Sequence, residues 1–313
     1  MTVCVAAICD NSTVIAASDR MLTAGNIQFE PHQTKVSSVT NSVALLFAGE
    51  SVLQMEIMLD VQSVVDARVA KNPTTWIRVR DVAEIYRKYY NKSRNRRTET
   101  AILAPLGLDH RTFLSKQSQL DPAFVKQIAA ELLNFEMPAI SVIVCGVDST
   151  GARMYLIDNS SRSLEVTCHD SIGFAAIGTG YAHAESQFMF AGHTRYRGFS
   201  ETLLLAYSAK KRAEVAPGVG KATDMFMIGP GIGSYTAIGN HVLDELAVNY
   251  TETQDAIREA TNKGRERSQN YVDKLIADAT PQDQKSVGES GDASGEAPAD
   301  SENSRNESDP GEG

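Results

Sequence analysis

The first fifty residues carry the clearest pattern of apolar and polar positions in the chain. Two apolar runs, at residues 3–9 and 13–17, flank a polar segment at 10–12 whose Asp and Asn tolerate a tight turn. We therefore predict a β-hairpin. A further run at 42–47 is nearly all apolar and predicts a buried strand that ends at Ala48 and Gly49.

Farther along the chain, apolar residues recur at helical spacing or in short β-branched runs. These patterns predict helices at 50–70, 79–92, 181–191 and 199–211, and strands at 139–147, 153–157 and 225–228. The chain thus alternates strands with pairs of helices twice, and this order is expected for two sheets between helix layers. The sequence therefore predicts an α+β fold, an αββα four-layer sandwich of two antiparallel sheets.

Two segments exceed what this order of elements needs. Residues 95–138 lie between a predicted helix and a predicted strand, and they contain a helix start with Asp121 as N-cap and Pro122 as first helical residue. We interpret them as an insertion. With a C-terminal helix predicted at 253–279, one domain covers about residues 1–280.

The composition changes at residue 281. Residues 281–313 are dominated by Gly, Ser, Glu, Asp, Asn and Pro, lack aromatic residues, and carry nine acidic residues against Lys285 and Arg305. Such a segment cannot bury enough apolar surface to order itself, so we predict a disordered acidic tail. The tail contributes −7 to the net charge of −9, so the overall acidity indicates little about a substrate.

The sulfur-containing and ionisable residues argue against several chemistries. Cys4, Cys9, Cys145 and Cys168 show no CxxC spacing, which favours thiols in a reducing compartment. The six histidines show no paired metal-ligand spacing, so we predict no metal and no cofactor. The basic cluster at 87–97 is interpreted as an exposed helix end or a contact between subunits and not as a nucleic-acid site.

No segment has the pattern of a signal peptide, because the first apolar run is short and no basic region precedes it. No run approaches the ~20 apolar residues of a membrane span. We therefore expect a cytoplasmic protein without a membrane or nucleic-acid partner.

The second residue carries candidate chemistry. If Met1 is removed, Thr2 presents a hydroxyl and a free α-amine on one residue, so the amine can act as the base for its own hydroxyl. An α-amine has a reference pKa of about 7.7–8.0, so part of it is unprotonated near neutral pH. Because many proteins begin with Met-Thr, this residue alone indicates little.

Three further positions follow Thr2 in order. Asp19 comes after the returning strand, Lys35 comes sixteen residues later, and Gly49 closes the next buried strand. This order resembles the proteasome β-subunit family, in particular its bacterial members. The resemblance is strongest in the first fifty residues, and it implies the N-terminal-nucleophile hydrolase fold for the predicted layers.

A second block is also similar to this family. Gly178-Thr179-Gly180 stands where the family has Gly-Ser-Gly, and Thr179 keeps the hydroxyl that helps to orient the nucleophile there. Glu214 and Pro217 stand where the family has Asp and Ser after its long helix. The resemblance therefore implies that Thr179 and Glu214 support the nucleophile.

The activity implied by the resemblance is that of a threonine-type endopeptidase, which hydrolyses amides through an acyl-enzyme. Thr2 Oγ1 attacks the carbonyl while its own amine moves the proton. Lys35 stabilises the developing negative charge, and Asp19 holds Lys35 in place. The backbone N–H of Gly49 faces the oxyanion.

Substrate contacts are implied at two positions. The backbone of Thr23 is expected to pair with an extended peptide by strand addition, and Phe47 to form a wall of a shallow apolar pocket for the residue before the cut. The resemblance also implies peptide or protein substrates and a homo-oligomeric ring enclosing the sites, which in this family is often fed by an ATPase unfoldase.

Two alternatives stay open at this point. One is a catalytically silent scaffold subunit of the same family, favoured if Glu214 and Pro217 do not support the Thr2 amine. The other is an N-terminal-nucleophile amidase that acts on a small amide and needs no ring.

Overall fold

The computed structural model describes residues 2–24, 27–32, 34–159 and 164–279. Its contacts divide the chain into two units, Met1–Gln254 and Asp255–Gly313. The residue preceding Thr2 and the predicted acidic tail at 281–313 lie outside the described residues.

Strands and helices follow one another in the predicted order. The strands are β1 (Cys4–Cys9), β2 (Thr13–Ser18), β3 (Leu22–Ala24), β4 (Ile27–Phe29), β5 (Val36–Thr40), β6 (Val43–Gly49), β7 (Ile140–Asp148), β8 (Gly151–Asp158), β9 (Glu165–Cys168), β10 (Phe174–Ile177), β11 (Asp224–Ile228) and β12 (Tyr235–Ala237). The helices are α1 (Ser51–Lys71), α2 (Val79–Thr98), α3 (His110–Lys116), α4 (Pro122–Asn134), α5 (Tyr181–Phe190), α6 (Phe199–Ala213) and α7 (Asn240–Ala279). The chain therefore mixes helices and sheets, which is compatible with the α+β prediction.

The predicted N-terminal hairpin is confirmed. β1 and β2 pair antiparallel, with Cys4 opposite Ser18. The turn residues Asp10 and Asn11 have φ values of 49° and 57°. Ser12 N–H donates to Cys9 O at 3.1 Å across these two residues. A type I′ turn needs the left-handed conformation at both central positions, and Asn and Asp adopt it more readily than other residues with a side chain.

Two five-stranded antiparallel sheets make up most of the first unit. The first has the strand order β10-β1-β2-β11-β12, and the second has the order β5-β6-β7-β8-β9. Strands β3 and β4 form a separate two-stranded sheet. The first sheet therefore joins strands from both ends of this unit, whereas the second uses its middle.

The strands alternate between two apolar environments. In β1, Val5 packs with residues of α5 and α6, whereas Ala6 packs with residues of the second sheet. In β6, Leu45 packs with residues of α1 and α2, whereas Leu46 packs with residues of the first sheet. Because these strands are buried on both faces, the sequence shows continuous apolar runs instead of a polar–apolar alternation.

The segment predicted as an insertion at 95–138 has a small core of its own. Its buried side chains are Leu103, Phe113 and Ile128. Helix α4 begins at Pro122, after Asp121, whose carboxylate accepts hydrogen bonds from the backbone of the first turn. The predicted helix start is therefore confirmed.

The C-terminal helix begins earlier than predicted. The sequence predicts it at 253–279, but α7 starts at Asn240. Its first turns carry apolar residues at helical spacing that pack on the core beside α6: Val242, Leu243, Leu246, Ala247 and Tyr250. In the second unit, residues 255–279 are all exposed.

Within the described part of the chain, no helix is both long and apolar enough to cross a membrane. All four cysteines are free, and Cys4, Cys9 and Cys145 are buried. Burial raises the pKa of the Cys4 and Cys145 thiols to about 12, so neither is a thiolate near neutral pH. These cysteines therefore fill space in the core.

Protonation of His193 couples the fold to pH. The ring packs edge-on against Phe174 and Phe188, and its Nε2–H donates to Ile8 O at 3.1 Å. Burial lowers the pKa of His193 below its ordinary value of 6.5. Because the unfolded chain then binds the proton more readily than the folded chain, the free energy of unfolding falls as the pH drops below about 6.5.

We expect the His193→Gln variant to lose part of this pH dependence, because Gln can donate to Ile8 O but does not titrate. Denaturant unfolding at about pH 7.5 and about pH 5.5 measures the effect. The difference in the free energy of unfolding between the two pH values should be smaller in the variant than in the native protein. Equal differences would mean that His193 does not contribute to it.

Candidate active site

The strand register of the first sheet fixes the position of Thr2. In β1, Cys4 lies opposite Ser18 of β2 and opposite Ile177 of β10. The residue two positions before Cys4 therefore lies between the ends of β2 and β10. Gly180 N–H donates to the carbonyl oxygen of Thr2 at 3.2 Å. The backbone of Thr2 is thus held beside the end of β10.

The second sheet supplies Lys35, which directly precedes β5. Its carbonyl oxygen accepts a hydrogen bond from Phe47 N–H of β6 at 3.2 Å. Its Nζ donates to Thr2 Oγ1 at 2.5 Å, to Asp19 Oδ1 at 2.8 Å and to Met21 O at 2.5 Å. The side chain is 10% exposed, so the ammonium replaces water with three protein acceptors.

The carboxylate of Asp19 is fully buried at the centre of these contacts. It accepts hydrogen bonds from the backbone N–H groups of Val3, Met21 and Gly220 at 3.0, 3.1 and 2.9 Å, from Lys35 Nζ and from the Thr2 hydroxyl. A buried carboxylate is costly unless its oxygens find donors, and this one finds five. The structure therefore brings together Thr2, Asp19 and Lys35.

The hydroxyl of Thr2 is polarised by its two neighbours. It donates its proton to Asp19 and accepts a hydrogen bond from Lys35. A cation in contact with Oγ1 lowers the energy of the negative charge that forms when this oxygen attacks an electrophile. Thr2 itself is 4% exposed, so little water screens the interaction.

A cavity of about 610 Å³ opens beside Thr2. Gly49 and Thr179 line it, as do the carboxylate-bearing residues Asp158 and Glu185. Burial raises the pKa of Glu185. No lysine or arginine is among the cavity-lining residues that the structure describes, so the described wall is acidic.

Gly49 lies in the cavity wall at a position that has no room for a side chain. It closes β6 opposite Ile140, with a φ of +105° that residues other than glycine rarely adopt. A Cβ atom at this position would lie 2.2 Å from Ala139 O. The structure therefore places the predicted oxyanion residue in the wall of the cavity that Thr2 also lines, and its role stays a prediction.

The predicted supporting residues take different places. Thr179 lines the cavity, but no hydrogen bond between its hydroxyl and Thr2 is present in the described part of the chain. The carboxylate of Glu214 pairs instead with Lys210 Nζ at 2.7 Å and with Lys211 Nζ at 2.8 Å. Helical spacing explains this, because residues three and four apart are neighbours on one face. The structure does not bring Glu214 to Thr2.

Phe47 is not among the described residues of the cavity wall. It lies on the same face of β6 as Val43 and Leu45, and it packs against the core beside α1 and α2. Ala48, the next residue, lines the cavity instead, as expected from the alternation of side chains along a strand. Thr23 lies in β3 and is also not among the described lining residues.

Asp158, Glu185 and Gly220 are the parts of the site that sequence reasoning missed. Asp158 ends β8 one residue beyond the predicted strand, and Glu185 is the acidic residue of α5. A carboxylate at a strand end or on a helix is usually a solvated surface group, so the sequence carries only a weak signal. Their place beside Thr2 depends on how β8, α5 and β1 pack.

No model of a known protein family matches the chain, and a search of curated proteins finds no relative. Among the described residues, no three His, Cys, Asp or Glu side chains are grouped so that they could hold a metal ion. The absence of a metal or cofactor requirement stays a prediction.

Gly178 packs so closely on the backbone of Thr2 that a side chain at this position should destabilise the protein. Gly178 has a φ of +91°, and a Cβ atom there would lie 2.3 Å from Thr2 O. The Gly178→Ala variant must therefore displace Thr2, in addition to the roughly 1–2 kcal/mol cost of a left-handed alanine. We expect a larger loss of the free energy of unfolding than in Gly107→Ala, measured by chemical denaturation.

Gly107→Ala is the matched control, because Gly107 has a φ of +70° and a Cβ atom there would meet nothing within 4 Å. It carries the backbone strain without the contact to Thr2. Equal losses in the two variants would contradict the close packing of Gly178 on the backbone of Thr2.

Proposed function

We propose that the protein is a threonine-type amide hydrolase that uses Thr2 as nucleophile and acts on peptide bonds as an endopeptidase. The observation that carries the proposal is the contact of the buried Thr2 hydroxyl with Lys35, whose ammonium is held by Asp19. The three side chains come from both sheets and meet beside one cavity. A nucleophile, a fixed cation and an orienting carboxylate are the parts that this chemistry needs.

The proposed reaction begins when the residue before Thr2 has been removed and the α-amine of Thr2 is free. Thr2 Oγ1 attacks the amide carbonyl, and its proton passes to this amine. Lys35 stabilises the negative charge on Oγ1 as the bond forms. The amine then protonates the leaving nitrogen, which leaves an ester on Thr2, and water hydrolyses this ester with the amine again as base.

Gly49 is the proposed oxyanion donor. Its position in the cavity wall and the absence of a side chain support a close approach of substrate backbone. A backbone N–H at this place would bind the oxygen that becomes negative in the tetrahedral intermediate.

The arrangement of the cores supports a fold of the N-terminal-nucleophile hydrolase type. Helices α1 and α2 pack on the second sheet, α5 and α6 pack on the first, and a third apolar cluster contains residues of both sheets. We infer an αββα four-layer sandwich of the proteasome β-subunit type from these contacts. In such a fold the nucleophile lies at the start of the first strand, as Thr2 does here.

Peptide or protein substrates and a ring of identical copies are part of the same proposal. Strand β3 pairs only with β4 among the described strands, so its other edge supports strand addition by a peptide at Thr23. Exposed apolar side chains recur along α1 at Val52, Met55 and Leu59, which supports a contact between copies. A cytoplasmic location and an ATPase unfoldase as partner complete the proposal.

A catalytically silent scaffold subunit is the second candidate. The observation that favours it is that neither Thr179 nor Glu214 makes a described hydrogen bond to Thr2. The contact of Thr2 with Lys35 and Asp19 favours the enzyme, because a scaffold has no need to bury a cation against a hydroxyl.

Substitutions at Thr2 and Lys35 test the proposal. We expect Thr2→Ala to abolish hydrolysis of fluorogenic peptides and Thr2→Ser to retain part of it, since Ser keeps the hydroxyl and the amine. Lys35→Met should lower kcat by roughly 100-fold or more, the usual cost of removing one group that stabilises the developing charge. The exposed Thr261, on α7, provides the control variant Thr261→Ala.

Thr2-independent cleavage, or activity that persists in Lys35→Met, would contradict the proposed mechanism. A native protein that is folded and lacks Met1 but cleaves neither peptides nor small amides would favour the scaffold subunit.

The acidic wall of the cavity predicts a preference among substrates. Because Glu185 lines the same cavity as Thr2, substrates with a basic side chain near the cut should have a higher kcat/KM than matched acidic ones. Glu185→Gln should reduce this preference by roughly fivefold, the effect of about 1 kcal/mol from a partly exposed ion pair. The surface variant Glu201→Gln is the control, and an unchanged preference in Glu185→Gln would contradict the role of Glu185.

A further inference from the structure

Lys210 is a buried cation that the proposed chemistry does not use. It lies in the last turn of α6 and is 0% exposed. Its Nζ donates to Glu214 Oε1 at 2.7 Å and to the carbonyl oxygens of Gly220 and Lys221, both at 2.9 Å. Lys211 also pairs with Glu214, but its side chain is 24% exposed and no described contact joins it to the segment at 220–221.

The segment that Lys210 holds is the one that contacts Asp19. Gly220 N–H donates to Asp19 Oδ2 at 2.9 Å. Gly220 is closely packed, since a Cβ atom there would lie 1.9 Å from Glu30 Oε1. A continuous path of hydrogen bonds and backbone therefore leads from Lys210 through Gly220 to Asp19 and from there to Lys35.

Packing alone does not require a charged side chain at the buried position of Lys210. Burying an ammonium costs several kcal/mol before its partners are counted, whereas Leu or Met would fill a similar volume without that cost. Burial lowers the pKa of Lys210, and the carboxylates of Glu214 and Asp19 oppose this shift. The favourable interaction of cations with a helix C-terminus is already provided by Lys211 and Arg212.

We propose that Lys210 is a positioning residue of the Thr2 site. It fixes the carbonyl groups of Gly220 and Lys221, so that Gly220 N–H points at Asp19 and Asp19 holds Lys35 against Thr2. Glu214 then supports the site by pairing with Lys210, not by contacting the nucleophile. The catalytic consequence of this inference rests on the proposed function.

The test compares Lys210→Met with Lys211→Met. In Lys210→Met, hydrogen exchange of the Gly220 amide should become faster, because this amide is no longer held against the Asp19 carboxylate. The kcat for a peptide substrate should fall on the order of 100-fold with KM nearly unchanged, the cost of moving a reacting group by about 1 Å. Lys211→Met, which removes a neighbouring cation from the same carboxylate, should leave both readouts as in the native protein.

Removing one partner of a buried pair can destabilise the chain, so the double variant Lys210→Met/Glu214→Gln removes both charges. It should fold and show the same faster exchange and lower kcat. Unchanged Gly220 exchange in folded Lys210→Met or in the double variant would overturn the inference, and so would a fall in kcat that Lys211→Met shares. Hydrogen exchange at Gly220 tests the role of Lys210 without any measurement of activity. The proposed function is tested separately, because cleavage that persists in Thr2→Ala would refute it.

Discussion

A carboxylate removed from water needs donors for its lone pairs, and Asp19 obtains five in the folded chain. Two of these donors, the Thr2 hydroxyl and Lys35 Nζ, also contact each other. The remaining three are backbone N–H groups: that of Val3, just before β1, that of Met21, two positions after Asp19, and that of Gly220, in the segment that follows α6. The geometry around Thr2 thus depends on one buried anion satisfied by several parts of the chain.

The two sheets make this arrangement possible because their strands are apolar on both faces and because the ends of β1, β2 and β5 that carry Thr2, Asp19 and Lys35 meet. Thr2 and Asp19 lie at strand ends of the first sheet, whereas Lys35 and Gly49 lie at strand ends of the second. Polar residues at strand ends can meet without interrupting the apolar layers. Glycine is needed where backbone passes closest, as at Gly178 against the carbonyl of Thr2.

Local patterns predict the hairpin and the main helices. The contact of Thr2 with Asp19 and Lys35 is expected from the resemblance alone, because it joins residues of two different sheets. Phe47 faces the helices and not the cavity, as its alternation with Ala48 along the strand already indicates. For Glu214, the four-residue spacing to Lys210 within α6 is more informative than its position after the helix. The acidic cavity wall could not be predicted, since it depends on the packing of elements far apart in the chain.

An activated Thr2 is tested most directly by the intact mass of the purified protein after incubation with a peptide electrophile directed at N-terminal threonine. We expect a chain that has lost Met1 and carries a single adduct, which peptide mapping places on Thr2 and which is absent in Thr2→Ala. A chain that retains Met1, or one with a free Thr2 that takes no label, would contradict an activated nucleophile at this site.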